Sequence, residues 1–202
     1  MKTRCFGIDA STNGTAICCY DLQDKDYFIY TFSRKHVKKP FHFEHKNFVV
    51  HVEPMPKEFH KEHNEDDFLR YRAIAKHIWD FVVDDIGLVE NSLFFIENYA
   101  YGQASNLVPL MEFTALLKNH IYEAGYKLDG VFSPTAIKKE IGGHGALKKA
   151  DIYKNKWNDR NMIDLFEEIE LYDKYAQGCW HEDVLDSYAI CEYALKTWNV
   201  EK

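Results

Sequence analysis

The pattern that decides the fold lies near the C-terminus, in His181-Glu182-Asp183-Val184-Leu185-Asp186-Ser187-Tyr188-Ala189-Ile190-Cys191. Apolar residues recur there at helical spacing, at Val184, Tyr188, Cys191 and Leu195. A second row on the same helix consists of Asp183, Asp186, Ile190 and Ala194. Solvated acidic faces do not usually continue into apolar residues. The stretch therefore predicts a helix that directs two aspartates toward the core.

Two inward carboxylates repel each other and lose hydration unless a positive charge lies between them. A hard divalent cation meets this need, because Mg²⁺ takes oxygen ligands from carboxylates and leaves its other positions to phosphate and water. The alternative is an acidic first turn that complements the helix dipole, and Glu182 fits that role. The choice between the two depends on the acids found upstream.

Composition limits the possible classes of protein. With 202 residues, 46% of them hydrophobic and 28% charged, we expect one globular domain over residues 1–202. No apolar run of about 18 residues predicts a membrane span, and Met1-Lys2-Thr3-Arg4 enters a strand pattern without a signal-peptide core. The five cysteines (Cys5, Cys18, Cys19, Cys179 and Cys191) are typical of buried thiols in a reducing compartment. We therefore expect a cytoplasmic protein.

The net charge of −7 argues against a protein that coats nucleic acid without specificity. It is compatible with an enzyme that combines a local basic groove with an acidic metal centre.

The N-terminal part predicts a three-stranded antiparallel meander over Arg4–Ser11, Thr15–Tyr20 and Tyr27–Phe32. Asp9 lies on the first of these strands. Residues 34–66 follow no clean period and predict an irregular insertion, with one short strand candidate at Phe48–Val52. The histidines there fit no standard zinc spacing, so we interpret them as solvated loop residues: His36, His42, His45, His51, His60 and His63.

The remaining elements alternate between helix and strand. A long helix is predicted at about 66–86, with its inner face formed by Phe68, Tyr71, Ala75, Ile78 and Val82. A buried strand at Leu93–Ile96 ends in Glu97, and a helix over 105–124 follows, with its inner face formed by Leu107, Leu110, Met111, Thr114, Leu117 and Ile121. A strand at Leu128–Phe132 precedes a glycine-rich loop at 142–145 and a helix through Met162 and Ile169. This order predicts an RNase H-like α/β fold, a mixed five-stranded sheet with helices on both faces.

In such a fold, four acids on different elements can converge: Asp9, Glu97, Asp183 and Asp186. Four carboxylates would balance two Mg²⁺ ions, with Mn²⁺ as a substitute, and about 4 Å between two ions suits phosphodiester hydrolysis.

The same motifs resemble the RuvC-type Holliday-junction resolvases. Gly7-Ile8-Asp9 followed by Gly14-Thr15-Ala16 is similar to the first catalytic strand of that family, and Phe95-Ile96-Glu97 to its second acidic motif. Asp183-Val184-Leu185-Asp186-Ser187-Tyr188-Ala189 resembles its terminal helix. The segment from Lys138 to Lys149 resembles its basic stretch, with Lys138, Gly143, Gly145 and Lys149 at the matching positions.

The resemblance implies a homodimeric endonuclease that cuts four-way DNA junctions during recombination and repair. Asp9, Glu97, Asp183 and Asp186 would then be catalytic metal ligands, and Lys149 would be a further catalytic residue. The implied DNA contacts are Lys138, Lys139, Lys148, Lys149, Tyr99 and Tyr101, although the lysines also fit a solvated helix surface. The long helices at 66–86 and 105–124 are candidates for the dimer surface, with Phe113 and Leu116 exposed on the second.

Two departures from the family pattern affect specificity. Ala100 stands where the family often has a junction-opening aromatic residue, and only Tyr99 and Tyr101 flank it. The acidic net charge and the insertion at 34–66 are also atypical, which fits a viral or phage variant with broader specificity for branched DNA.

Three other functions share parts of the pattern. A YqgF-type nuclease that processes ribosomal RNA precursors would have the same fold and most of the acids. An actin-like ATPase or sugar kinase opens with a similar strand and turn, but such enzymes need two lobes and 202 residues hold only one. A junction-binding module without catalysis would have no use for four inward acids, which cost stability when they are orphaned.

Overall fold

The structure is a computed structural model, and it describes residues 3–12, 14–33, 37, 39–59, 66–98, 104–142, 145 and 180–198. The described strands are β1 (Thr3–Asp9), β2 (Ala16–Asp21), β3 (Asp26–Ser33), β4 (Phe41–His45), β5 (Phe48–Pro54), β6 (Asn91–Glu97) and β7 (Leu128–Phe132). The described helices are α1 (Asp67–Phe81), α2 (Ala104–Glu123), α3 (Pro134–Gly142) and α4 (Trp180–Thr197). A short 3₁₀ turn at Lys57–Phe59 precedes α1, and a π-helical turn at Val82–Ile86 follows it.

All seven described strands form one mixed sheet, in the order β4-β5-β3-β2-β1-β6-β7. The predicted meander is confirmed, because β2 pairs antiparallel with both β1 and β3. On the other side of β1, strands β6 and β7 run parallel to it. The catalytic candidates on β1 and β6 therefore lie on two adjacent interior strands of the sheet.

The insertion at 34–66 differs from the prediction. Its strand candidate at Phe48–Val52 is confirmed as part of β5, which pairs with β3. The segment also contains β4, which was not predicted and pairs antiparallel with β5. Phe43, Val50 and Val52 are buried, and this burial offsets the cost of ordering the segment. His51 is not a solvated loop residue, since it lies in β5 with Nε2 3.0 Å from Glu53 Oε1. These strands raise the count from the predicted five to seven.

Helices cover both faces of the sheet. Cys5 and Phe95 belong to the buried cluster under α4, whereas Phe6, Ile8 and Phe94 belong to the cluster under α1 and α2. This separation follows from the alternation of side chains along a strand. Because Gly7 and Asp9 share the parity of Cys5, both lie on the α4 face.

The predicted ends of the first helix are confirmed. Asp66 caps α1, accepting hydrogen bonds from the backbone N–H groups of Phe68 (2.9 Å) and Leu69 (3.2 Å). Gly87 ends the π-helical turn with φ at 81°, a conformation that favours glycine.

Three residues of the helix faces were predicted on the wrong side. Phe68 is 49% exposed and Met111 is 46% exposed, although both were expected to point inward. Phe113 is 0% exposed, although it was expected on the surface. Its ring packs against Tyr71 with 6.4 Å between ring centroids, because α1 and α2 cover each other. Phe113 therefore cannot contribute to a dimer surface.

The N-terminal end of β1 is held by one ion pair. Arg4 Nε donates to Asp21 Oδ2 at 3.0 Å, and Arg4 Nη1 donates to the Gly87 carbonyl at 2.6 Å. Burial by itself raises the pKa of Asp21, but Arg4 and the backbone N–H groups of Asp24 and Gln23 together hold it below its ordinary value.

We expect this ion pair to shape acid unfolding. Because the pKa of Asp21 is depressed in the folded state, its contribution is present above the unfolded pKa of about 4 and is lost as pH falls through the folded pKa. Replacing Asp21→Asn should flatten the acid limb of the free energy of unfolding, measured by urea denaturation at a series of pH values. An unchanged acid limb would contradict this role.

Candidate active site

The first two acids lie at the ends of adjacent parallel strands. The register pairs Ile8 with Ile96, so Asp9 and Glu97 follow at the next position of each strand. Neighbouring strands are about 4.8 Å apart. Glu97 shares the parity of Phe95, which packs in the cluster under α4, so both acids lie on the α4 face. The register therefore places Asp9 and Glu97 at the same end of two neighbouring strands.

Helix α4 approaches β1 closely because Gly7 has no side chain. A Cβ atom at Gly7 would lie 2.5 Å from the Cys191 nitrogen and 2.6 Å from the Ser187 carbonyl oxygen. Such distances essentially do not occur, so only glycine permits this packing. The contact fixes α4 over β1.

The N-terminal end of α4 reaches the end of β1 that carries Asp9. A Cβ atom at Gly14, in the connection between β1 and β2, would lie 2.5 Å from Asp183 Oδ2. Since Asp9 pairs with Ala16 across the same connection, Asp183 lies beside the strand end that Asp9 occupies. Three of the four predicted acids are thus brought to one edge of the sheet.

Asp186 shares a helix face with Asp183, as predicted. Ile190 and Ala194 continue that face into the core and are buried, which confirms that the acidic face is directed inward. Asp183 and Asp186 are half-buried, as are Asp9 and Glu97, whereas Glu182 is exposed. Half-buried carboxylates are partly desolvated, yet solvent and a ligand can reach them.

The convergence does not amount to a closed ligand cage. Within the described ranges, no three His, Cys, Asp or Glu side chains are grouped so that they could hold one metal ion. The roles of the four acids stay predictions.

The connection between β1 and β2 contains a contact that the sequence analysis did not identify. Thr15 is buried, and its hydroxyl donates to the Ser11 carbonyl at 2.6 Å and accepts from the Ser11 N–H at 3.2 Å. A hydroxyl residue directly after Gly14 is the only indication of this bond in the sequence, since such residues often bond to the backbone of turns.

The basic candidates are only partly described. Lys138 and Lys139 lie on α3, which is anchored against α4 by the buried Ile137. Gly145 lies against the start of α3, where a Cβ atom would be 2.4 Å from Thr135 Cγ2. The other predicted positions fall outside the described residues: Tyr99, Tyr101, Gly143, His144, Lys148, Lys149, Cys179 and the helix through Met162 and Ile169.

The four cysteines that the structure describes confirm the expectation of buried thiols. Cys5, Cys18, Cys19 and Cys191 are buried and unbridged. Burial raises the pKa of the Cys18 and Cys19 thiols, so both are neutral packing groups. In the part of the chain that the structure describes, no helix is both long and apolar enough to cross a lipid bilayer.

The sequence matches no protein-family model and no curated protein. Two solved structures of Thermus thermophilus RuvC are similar in fold. The first superposes with a TM-score of 0.51 and 11% sequence identity over 97% of each chain. The second, described as RuvC in complex with Holliday junction substrate, superposes with a TM-score of 0.52 and 11% identity over 96% of each chain. The chain therefore has a RuvC-like α/β fold of the RNase H-like class.

Proposed function

We propose that this protein is a metal-dependent endonuclease that resolves four-way DNA junctions by phosphodiester hydrolysis. The observation that carries the proposal is the convergence of acids at one sheet edge. Asp9 and Glu97 end adjacent strands, and the contact at Gly14 brings Asp183 to the same edge. This convergence occurs in a fold similar to that of RuvC, one structure of which is described as bound to a Holliday junction.

The donor set suits Mg²⁺ or Mn²⁺. Carboxylate oxygens are the ligands these hard cations prefer, and Gly14 leaves the space that Asp183 Oδ2 occupies. We propose Asp9, Glu97, Asp183 and Asp186 as the ligands, for two ions per site. When bound, the ions would supply Lewis-acid stabilisation of the charge that develops on the phosphate.

The chain itself supplies rigid placement. Asp9 and Glu97 are held by the backbone ladder of two adjacent interior strands, while Asp183 and Asp186 are held by a helix packed on Gly7. Groups fixed on strands and helices keep a reacting phosphate in one position better than groups on loops do.

Binding of DNA requires positive charge near this acidic edge, because the protein carries a net charge of −7. We propose that Lys138, Lys139, Lys148 and Lys149 contact phosphates, with Lys149 also stabilising the charge that develops during cleavage. Tyr99 and Tyr101 follow β6 directly after Glu97 and Asn98, so we propose them as contacts to unstacked bases. A homodimer would present two equivalent sites to the two equivalent strands of a junction.

We expect Mn²⁺ to stabilise the folded protein. An ion that binds only the folded state stabilises it by about 2.7 kcal/mol at 100 times its Kd. Melting temperature should therefore rise with millimolar Mn²⁺ and should rise less in Asp183→Asn. The matched control is Glu182→Gln, which removes a neighbouring exposed carboxylate. A melting temperature that is indifferent to Mn²⁺ would contradict a shared metal site.

The substrate is tested by incubating the protein with a four-way DNA junction, a fork, duplex DNA and structured RNA, in Mg²⁺ and in Mn²⁺. We expect paired nicks at symmetric positions on two opposite strands of the junction. Preferential cutting of RNA would instead favour a nuclease of ribosomal RNA precursors. Tight junction binding without any product would favour a binding module.

A further inference from the structure

The connection between β1 and β2 lies between two of the proposed metal ligands. Asp9 ends β1, and Gly14 lies against Asp183 Oδ2 of α4. Because there is no room for a side chain between Gly14 and Asp183 Oδ2, a displacement of Gly14 toward α4 would press on this carboxylate. The position of Gly14 thus limits where the Asp183 carboxylate can lie relative to Asp9.

We propose that Thr15 is a positioning residue, which fixes the connection so that Asp9 and Asp183 can hold the same metal ion. This inference rests on the proposed nuclease function. The Thr15 hydroxyl makes two hydrogen bonds to Ser11, to its carbonyl at 2.6 Å and from its N–H at 3.2 Å. Together they tie Ser11, two residues after Asp9, to Thr15, the residue after Gly14.

A comparison within the sheet shows that burial of a threonine here does not require such bonds. Thr31 lies on β3, where it pairs with Ala16, the residue after Thr15. Both threonines are fully buried. Among the described residues, the Thr31 hydroxyl has no hydrogen-bond partner. Burial alone therefore does not account for the two hydrogen bonds of Thr15, which belong to the connection between β1 and β2.

The hydroxyl acts on Asp183 through Gly14. At that position even a methyl group would meet the carboxylate, with 2.5 Å between the added Cβ and Asp183 Oδ2. Such a close approach tolerates little displacement of the backbone. Loss of the Thr15–Ser11 bonds would free the connection to shift against the carboxylate, and the metal ligands would lose their common geometry.

Three variants test this inference in the full-length protein. Thr15→Val keeps the shape and removes the hydroxyl, Thr15→Ser restores a hydroxyl, and Thr31→Val is the matched control without a hydrogen bond to lose. The first readout is the rise in melting temperature with increasing Mn²⁺, which does not depend on activity. The second is kcat and KM for junction cleavage, together with the Mn²⁺ concentration for half-maximal rate.

For Thr15→Val we expect the half-maximal Mn²⁺ concentration to rise and kcat to fall by about 10–100-fold, the usual loss when a group that orients metal ligands is removed. KM for the junction should stay unchanged, Thr15→Ser should recover most of both effects, and Thr31→Val should behave as the wild type.

The inference is overturned if Thr15→Val matches the wild type in both readouts, or if Thr15→Ser is as impaired as Thr15→Val. It is also overturned if Thr15→Val unfolds and for that reason no longer binds the junction. A wild-type protein that cuts no branched DNA would instead count against the proposed function. The two failures are therefore distinguishable.

Discussion

Junction cleavage is expected to fall by more than about 100-fold in Asp9→Asn and in Glu97→Gln, a loss larger than the removal of groups that merely orient metal ligands usually causes. Both residues lie at the ends of two adjacent parallel strands, where the register makes them neighbours. Each substitution keeps the shape and removes one negative charge that would bind the cation. Removing that charge also lowers repulsion toward phosphate, so junction affinity should be unchanged or tighter. Single-turnover cleavage and a gel-shift titration measure the two effects separately.

The matched control for Asp9→Asn is Asp24→Asn. Asp24 is exposed in the turn between β2 and β3, which lies at the opposite end of the sheet from Asp9. The Asp24→Asn substitution removes the same charge from the protein but should leave the cleavage rate as in the wild type. Wild-type cleavage by Asp9→Asn, or equal losses in both variants, would show that the catalytic assignment is wrong.

The largest loss of stability is expected for Gly7→Ala. The added Cβ would meet backbone atoms of α4, 2.5 Å from the Cys191 nitrogen and 2.9 Å from its Cα, and backbone cannot rotate away as a side chain does. Overpacking typically costs about 1–3 kcal/mol, and we expect Gly7→Ala to reach or exceed the upper end. Because α4 carries Asp183 and Asp186, its displacement should also reduce Mn²⁺ binding. Urea denaturation and a Mn²⁺ titration measure these losses.

Gly125→Ala is an informative comparison, because the two glycines are required for different reasons. Gly125 has φ at 84°, but an added Cβ would meet nothing within 4 Å. The expected cost is the backbone strain alone, about 1–2 kcal/mol, with Mn²⁺ binding unchanged. A smaller loss of stability in Gly7→Ala than in Gly125→Ala would contradict the close packing of α4 on β1.

The sequence was sufficient for elements whose pattern has one physical interpretation. The meander, the strand before Glu97 and the inward acidic face of α4 follow from periodicity, because each buries residues at the spacing of its own structure. The first helical region, predicted at about 66–86, ends for local reasons, because Asp66 caps it and Gly87 has a positive φ.

Other features depend on packing partners that periodicity does not reveal. The strand candidate at Phe48–Val52 lies in β5, but its parallel pairing with β3 could not be foreseen. The strand β4 is short and carries two histidines, and it was missed because it becomes a strand by pairing with β5. Phe113 was expected on the surface because it lies off the main apolar stripe of α2, yet α1 covers it. Phe68, in the first turn of α1, is exposed, although its spacing placed it on the inner face.

For the candidate site, the sequence identified the acids but not what arranges them. The order of motifs was enough to propose Asp9, Glu97, Asp183 and Asp186. The contacts at Gly7 and Gly14 depend on how α4 crosses β1, which is a tertiary feature. The bonds of Thr15 to Ser11 are local, but many turn hydroxyls make such bonds without any role in function.

The central claim is that the four acids share metal ions, and anomalous scattering from crystals grown with Mn²⁺ tests it most directly. The account predicts manganese at the edge formed by the ends of β1 and β6 and the start of α4. Its ligands should include carboxylate oxygens of Asp9 and Asp183, at about 2.1 Å as for Mg²⁺. Manganese bound elsewhere with none at this edge, in a protein that still cuts junctions, would contradict the account.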